Sequence, residues 1–558
     1  MKKLPDNIAD FKMLIEENYI YADKTWHLYQ LLMGSGQNFF LSRPRRFGKT
    51  LLVSTLEQIF LGNRSLFKGL WIDQSDYTWP KYPVIRLSMA GMDFLTPLEF
   101  REQLLSMLKK KATSFNIDLS DEKTPGGCLV GLVHALSTLG KVVVLIDEYE
   151  HPILTHLHKP EVATEIREIL KTFYGVLKDL DKNLRFVFLT GVTKFAKTSI
   201  FSGINNLTDL SLDRKSATIL GLEPRDLDTY FLEPIQVMAD DLGKTKIQIL
   251  DSLRDWYNGY RFSEDSTCSV YNPCSVLKSL ISHRFKNYWF ETGTPVFLIN
   301  LIKERDYPVM DFEKIHLDQT DLSAFEVDQL SLPAILFQTG YLTIRGYDPE
   351  SEVYELSYPN KEVFSSLIRL VAPVLTKRSF VPWRELSVKL GKALAIQDLE
   401  TFCKLLQTFF ADVPYTLHIG LEKYYHTIFY MLMKFMGAEI WIEEATNIGR
   451  IDAVLQTSTH IYVIEFKLDK SAQEALAQIK TRQYPEKYKL LNKQIVLMKK
   501  FILRRKFRIF IEPLLIKFAR LLIRLFKFVF TKRTILFVTN QKIRSITFGP
   551  FSQAFCYI

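Results

Sequence analysis

Two groups of residues in this 558-residue chain have the types and spacing that phosphate chemistry needs. The first is Ser42-Arg43-Pro44-Arg45-Arg46-Phe47-Gly48-Lys49-Thr50, which ends as the phosphate-binding pattern GxxxxGK[ST] ends, with Arg43 in place of the first glycine. In that ending Gly48 lets backbone N–H groups approach a phosphate at a helix N-terminus. Lys49 reaches the β- and γ-phosphates and Thr50 ligates Mg²⁺; Arg46 joins them in the nucleotide-binding set. A basic turn capping a helix would also read Gly-Lys-Thr, so a second motif is needed. Val142-Val143-Val144-Leu145-Ile146-Asp147-Glu148 supplies it: an apolar strand ending in two acids, Asp147 to hold Mg²⁺ and Glu148 to polarise an attacking water. A later run, Thr190-Gly191-Val192-Thr193-Lys194, places Thr193 to sense a γ-phosphate, although a plain strand-end turn fits it equally well.

The second group lies near the other end of the chain. Gly449-Arg450-Ile451-Asp452-Ala453-Val454-Leu455 and His460-Ile461-Tyr462-Val463-Ile464-Glu465-Phe466-Lys467 read as a β-hairpin. The two-residue strand period puts Glu465 and Lys467 on one face and Phe466 on the other. Two carboxylates (Asp452, Glu465) beside one lysine can bind Mg²⁺ and orient a water against a phosphodiester, with Lys467 stabilising the developing charge. Exposed strands also carry such acid–base pairs as solvated partners, so the pattern alone does not establish catalysis.

These residues require particular elements. Strands at Asn38–Ser42, Pro83–Ser88, Lys141–Ile146, Arg185–Leu189 and Ala217–Leu222, alternating with helical patterns, predict a parallel sheet with helices on both faces. Residues 223–380 predict a mostly helical domain with a small sheet around Ala334–Ile344. Residues 381–558 predict an α/β domain: helices to about 437, strands at Glu439–Glu443, Arg450–Gln456 and His460–Phe466, then a helix Ser471–Lys480. The fold class is therefore α/β in three parts: a P-loop domain over 1–222, a helical domain over 223–380 and the α/β domain over 381–558.

The chain resembles the bacterial AAA-ATPase-like proteins that carry a C-terminal PD-(D/E)XK nuclease domain. The resemblance rests on Tyr21-Ala22-Asp23-Lys24-Thr25, Ser42–Thr50, Leu145–Tyr149, Leu189–Leu207, Tyr257–Ser263, Tyr288–Pro295 and Pro359-Asn360-Lys361-Glu362-Val363. It spans roughly residues 5–488 and implies ATP binding by an AAA-like module, with Arg43 in the first glycine's place as that family's habit. It also implies the PD-(D/E)XK set: Asp452, Glu465 and Lys467, with Gln478 and Tyr484 resembling the fourth motif of such nucleases and Glu422 the first.

Composition excludes some classes of protein. Apolar residues are 47% and charged residues 24%, the balance of a folded protein rather than a disordered one. The five cysteines, Cys128, Cys268, Cys274, Cys403 and Cys556, include no CxxC pair, so no disulfide framework or zinc site is expected, and a reducing cytoplasm is. His151, His156 and His158 lack metal-binding spacing, and the aromatic residues recur at helical spacing, as core rather than base-stacking residues do. No leader and no uncharged eighteen-residue apolar stretch is read, so membrane insertion is not expected. The net charge of +10 is uneven: residues 489–533 hold fourteen Lys/Arg and one acid, Glu512, leaving −3 for the rest. Within that segment Lys517, Arg520, Arg524 and Lys527 fall on one face of an expected basic helix, suited to a phosphate backbone or an anionic membrane surface. An inserted or frame-shifted coding segment would have the same composition. Thr534–Val538 reads as the closing strand of the nuclease-like sheet, which the basic segment would interrupt.

Two functions follow as expectations. One is an ATP-dependent enzyme acting on nucleic acid, DNA before RNA, with ATP and Mg²⁺ as cofactors. The other is a nucleotide-gated interaction protein whose nuclease-like domain binds nucleic acid or a partner without cleaving it. Oligomeric state is left open.

Overall fold

The computed structural model describes residues 2–157, 159–194, 200–201, 204, 207–264, 268–290, 314–323, 331–376, 381–411, 421–446, 449–457, 459–468, 488, 493–503, 506–513, 534–539 and 542–547. The chain divides into two units, Met1–Leu375 and Thr376–Ile558.

In the first unit, β1 (Asn38–Ser42), β2 (Val84–Ser88), β3 (Val142–Asp147), β4 (Leu184–Gly191) and β5 (Leu207–Asp209) form a parallel sheet in the order β2-β3-β4-β1-β5. All six residues of β3 are buried, which explains its unbroken apolar run. Val142, Val144 and Ile146 share a core with the helices Pro97–Ser114, Pro125–Ser137 and Pro160–Gly175. The helix Lys49–Phe60 also lies against β3. Truncating one such core residue, Leu145→Ala for example, would cost about 2–5 kcal/mol. Local chemistry sets where the core helices start. Thr96 and Glu99 form a reciprocal capping box before Pro97, and the Thr124 hydroxyl accepts from Gly127 N at 3.1 Å.

Parallel strands all end at one edge of the sheet, and the register shows what meets there. Ser42 pairs with Gly191, and Asp147 pairs with Thr190. The end of β4 therefore separates the loop after β1 from the acids after β3. This edge carries the candidate nucleotide site.

Two strand assignments need correction. The fifth strand is Leu207–Asp209, not Ala217–Leu222. Asp213 caps a short turn at Arg214–Ser216 by accepting from Ser216 N, and the apolar run that follows is buried as loop, with Ile219 and Leu220 lining a cavity. Likewise Leu332–Thr339 is a helix, and the small sheet is antiparallel, in the order β6 (Ile315–Asp318), β8 (Val353–Ser357), β7 (Thr343–Asp348). The helices Pro224–Tyr230, Leu232–Leu242, Lys246–Tyr257 and Pro273–Ser282 have their own core of Leu227, Phe231, Ile235, Met238, Leu253 and Val276, joined by Ile20 from the N-terminal segment.

The second unit contains the helices Val381–Ala395, Leu399–Ala411 and Leu421–Phe435 and a five-stranded sheet in the order β13-β12-β11-β10-β9. These strands are β9 (Glu439–Thr446), β10 (Gly449–Gln456), β11 (His460–Leu468), β12 (Gln494–Leu503) and β13 (Lys506–Pro513). β9, β10 and β11 are antiparallel neighbours, whereas β12 runs parallel to β11. β12 and, at the edge, β13 therefore extend the sheet beyond β11, both inside the basic segment, and none of its five strands comes from beyond residue 513. The lysines of β12 hide an ordinary strand pattern, Gln494-Ile495-Val496-Leu497-Met498, in which Ile495 and Val496 are buried. The run expected to close the sheet, within β14 (Thr534–Thr539), forms a separate hairpin with β15 (Lys542–Thr547). The expected helices over 471–480 and 517–527 lie outside the described residues. Among the described residues, no helix is long and apolar enough to cross a membrane.

Candidate nucleotide and phosphodiester sites

The loop after β1 turns on two residues with left-handed backbone: Arg46 at φ 69° and Gly48 at φ 93°. Gly48 is the N-cap of the helix Lys49–Phe60, and only its φ requires glycine, since a Cβ there would meet nothing closer than Leu220 Cδ2 at 3.9 Å. Arg46 holds the same strained region with a side chain, and its Nη1 lies 3.4 Å from Asn7 Oδ1. Arg43, at the first-glycine position, turns into the body of the protein. Its Nη1 donates to Ser42 O and Ser211 O, both at 2.8 Å, and its Nη2 to Ser216 O at 2.9 Å. The guanidinium also stacks 4.1 Å over the Phe262 ring, and burial lowers its pKa to about 9. Arg43 thus fastens the loop to the segment after β5 instead of leaving room for a phosphate.

Lys49 is buried, and its Nζ donates to Arg43 O at 2.9 Å and Pro44 O at 3.0 Å. Burial pulls its pKa down, while Glu150, Glu148 and Asp147 oppose that shift. Asp147, at the end of β3, is 2% exposed. Burial raises its carboxyl above the ordinary range, against a hydrogen bond from the Thr50 hydroxyl and the charge of Lys49, and its Oδ1 has no protein partner. Glu148 follows with φ 52°, is half-buried, and has its Oε2 3.6 Å from His151 Nδ1. Thr193 is fully buried with an unpartnered Oγ1.

Sequence reasoning missed Glu150. Its side chain runs under the end of β4, where Oε1 accepts from Val192 N and from Thr193 N, the latter at 3.3 Å, while Oε2 has no partner. Burial raises its pKa to about 7. Gly191 makes room for it, since a Cβ there would lie 1.8 Å from Glu150 Oε2. The only signal in the sequence is a third acid in Asp147-Glu148-Tyr149-Glu150.

Beside these groups is a cavity of about 570 Å³. Its walls are mixed: Arg45 to Thr50 with Glu148 and His151 line it, and so do the apolar side chains of Ile8, Leu222, Phe231 and Leu277 and the ring of Tyr21. Motifs distant in sequence brace the loop from behind. Phe47 meets Tyr260 and Phe262 edge-on, with ring centroids at 4.9 and 5.4 Å, and Trp289 Nε1 donates to Arg45 O at 3.3 Å. The Gln338 carboxamide accepts from Lys194 N at 3.0 Å. Lys24, from the N-terminal motif, pairs with Glu223 at 3.0 Å and Asp226 at 2.6 Å.

In the second unit, backbone register places the carboxylate–lysine set. β10 and β11 pair Ala453 with Ile464, and Asp452 and Glu465 stand one step further along the same two strands. Strand alternation along this register assigns those two positions, and position 467 of β11, to one face of the sheet. The same face carries buried Val454, Val463 and Ile495, which cluster with Tyr488. The side chains of Asp452, Glu465, Lys467 and Glu422 lie outside the described set, as do Gln478 and Tyr484 altogether.

Known proteins match both the N-terminal and the C-terminal parts of the chain. A family model described as Predicted AAA-ATPase (AAA-ATPase-like) matches residues 5–201, and one for the PD-(D/E)XK nuclease superfamily matches residues 420–504. An Azotobacter chroococcum mcd 1 protein, described as uncharacterized and in the vnfD 5′ region, is 36% identical over 513 residues, covering 89% of this chain and 96% of its own. Among solved structures, a Walker-type ATPase of Pyrococcus abyssi is similar at 13% identity and TM-score 0.33, over 65% of this chain and 99% of that one. The ORC1 protein of Aeropyrum pernix, in complex with DNA, is similar at 11% identity and TM-score 0.24, over 65% and 98%. The chain belongs to the AAA-ATPase-like family whose members join that module to a C-terminal PD-(D/E)XK nuclease superfamily domain.

Proposed function

We propose that the first unit binds and hydrolyses ATP, and that the second is a Mg²⁺-dependent phosphodiesterase acting on nucleic acid, DNA in the first instance. The observation that carries the reading is the cavity, lined both by the loop Arg45–Thr50 and by a set of apolar side chains. The apolar walls suit a nucleobase, and the loop offers the N-terminus of the helix Lys49–Phe60 to a phosphate chain. Lys49, held on two loop carbonyls, would exchange them for phosphate oxygens, and Arg46 would add charge at the mouth. The Thr50 hydroxyl and the unpartnered Asp147 Oδ1 fit a Mg²⁺ ion that takes few protein ligands and shares phosphate oxygens with its substrate. Bound there, the ion would neutralise charge on the phosphates. Glu148, at the cavity wall, would orient the attacking water; Thr193, fully buried just after β4 and not part of that wall, would respond to the γ-phosphate only through the strand end.

For the second unit, the register of β10 and β11 supports a shared metal site at Asp452 and Glu465, with Lys467 on the same face and Gln478 as a further polar group. The chain's few cysteines, with no CxxC pair, suit a reducing cytoplasm.

The test measures ATP hydrolysis and cleavage of a nucleic-acid panel, with and without Mg²⁺, by the full chain. Hydrolysis should be lost in Lys49→Ala and Glu148→Gln, and cleavage in Asp452→Ala and Lys467→Ala. ATP binding with no cleavage of any substrate, together with salt-sensitive nucleic-acid binding, would favour a nucleotide-gated binding protein instead.

A further inference from the structure

The loop Arg43-Pro44-Arg45-Arg46 has arginines where a glycine-rich loop has no side chains, and the structure gives them different surroundings. Arg43 is committed to three backbone carbonyls and the Phe262 ring. Arg46 reaches toward Asn7 on the N-terminal wall. Arg45 lines the cavity together with Lys49, Glu148 and His151; burial lowers the pKa of both Lys49 and His151, and the positive charge of Arg45 adds to it. Its backbone is held: Trp289 Nε1 donates to Arg45 O at 3.3 Å, and the neighbouring Pro44 packs against Gly340, where a Cβ would come within 2.7 Å of the proline ring. Arg45 thus lines the same cavity as the acid assigned to the attacking water, and its charge acts on His151, whose Nδ1 lies 3.6 Å from that acid's Oε2.

We propose that Arg45 supplies, from within the same chain, the positive charge that stabilises the γ-phosphoryl group in flight, so that one chain completes ATP hydrolysis without an arginine from a second copy. The inference rests on the nucleotide reading above. In the step, the water oxygen bonds to the γ-phosphorus as the bond from that phosphorus to the β,γ-bridging oxygen breaks. The bond's electron pair leaves on ADP, and the water's proton passes to the Glu148 carboxylate and then to solvent. Charge grows on the γ-phosphoryl oxygens and the bridging oxygen, and an arginine placed there acts in the transition state more than in the ground state.

The experiment uses the full chain and a fluorescent ATP analogue for affinity. Arg45→Ala should lower kcat roughly a thousandfold while the analogue's Kd shifts by less than about tenfold. Arg45→Lys should remain well below wild type, because a lysine lacks the planar fork. Turnover per wild-type chain should be constant over a hundredfold dilution, and mixing Arg45→Ala with Glu148→Gln chains should restore nothing. Recovered activity in that mixture would show an arginine acting between chains and overturn the proposal, as would wild-type kcat in Arg45→Ala. Loss of analogue binding in Arg45→Ala would also overturn it, by assigning Arg45 to ground-state binding. A wild-type chain that binds no ATP would instead bring down the nucleotide reading beneath it.

Discussion

Replacing Glu150 by glutamine should stabilise the first unit, and by more as the pH rises. The carboxyl is fully enclosed, and its pKa is about 7 in the folded chain against 4.5 for the free group. A raised carboxyl pKa means that the folded state holds the proton more tightly than the unfolded one between those values. Stability linked to this group is thus lost as pH climbs from about 4.5 to about 7, and the loss is constant above. The full difference is about 3 kcal/mol at pH 8 and about 1 kcal/mol at pH 5, by the usual conversion of roughly 1.4 kcal/mol per pH unit. Glutamine avoids that cost. Its carbonyl oxygen can still accept from Val192 N and Thr193 N, and its amide takes the place of the unpartnered Oε2. At roughly 2.1 cal/mol/K of unfolding entropy per residue, a unit of this size gains about 1.3 °C in Tm per kcal/mol. Scanning calorimetry of wild type and Glu150→Gln should therefore show the variant about 4 °C higher at pH 8, with the gap shrinking to about 1 °C at pH 5. A gap that is absent at pH 8, or that widens toward acid, would refute the account of Glu150 as a buried group charged at a cost.

Gly191→Ala should lower the Tm of the same unit by a few degrees, for ~1–3 kcal/mol, because its Cβ would occupy the seat of Glu150; thermal denaturation by circular dichroism checks this. Arg43→Ala should cost about 3 kcal/mol in chemical denaturation by orphaning the carbonyls of Ser211 and Ser216, and Arg43→Lys should recover little of it. Gly259→Ala should also destabilise, since φ is 105° and a Cβ would lie 2.0 Å from Pro359 O, where two motifs behind the phosphate loop meet. In a gel assay of labelled DNA, Asp452→Ala and Lys467→Ala should each abolish Mg²⁺-dependent cleavage while leaving ATP turnover at the wild-type rate.

What could be read from the sequence was what lies in contiguous runs. Gly48-Lys49-Thr50 after an apolar strand, and Asp147-Glu148 at the end of another, need only local chemistry to be recognised, and parallel pairing brings both to one sheet edge. Glu150 depends on which strand neighbours which: it matters because β4 lies between β3 and β1, and strand order is a tertiary fact. The role of Arg43 is hidden for the same reason, its partner carbonyls at Ser211 and Ser216 lying about 170 residues away along the chain. Ala217–Leu222 has the pattern of a strand because burial of loop around a cavity and burial of a strand leave the same apolar run. β12 is hard to see in the sequence because Lys499 and Lys500 interrupt its apolar run and the charge of the forty-five residues around it dominates the composition.

Titration calorimetry of ATP with Mg²⁺ into the full chain, beside Lys49→Ala, tests the central claim most directly. The account predicts one nucleotide bound per wild-type chain, and an affinity lowered about tenfold to a hundredfold in Lys49→Ala, the value of one charged hydrogen-bonding group on a phosphate. No heat of binding in the wild type, or equal affinity in the two proteins, would contradict it.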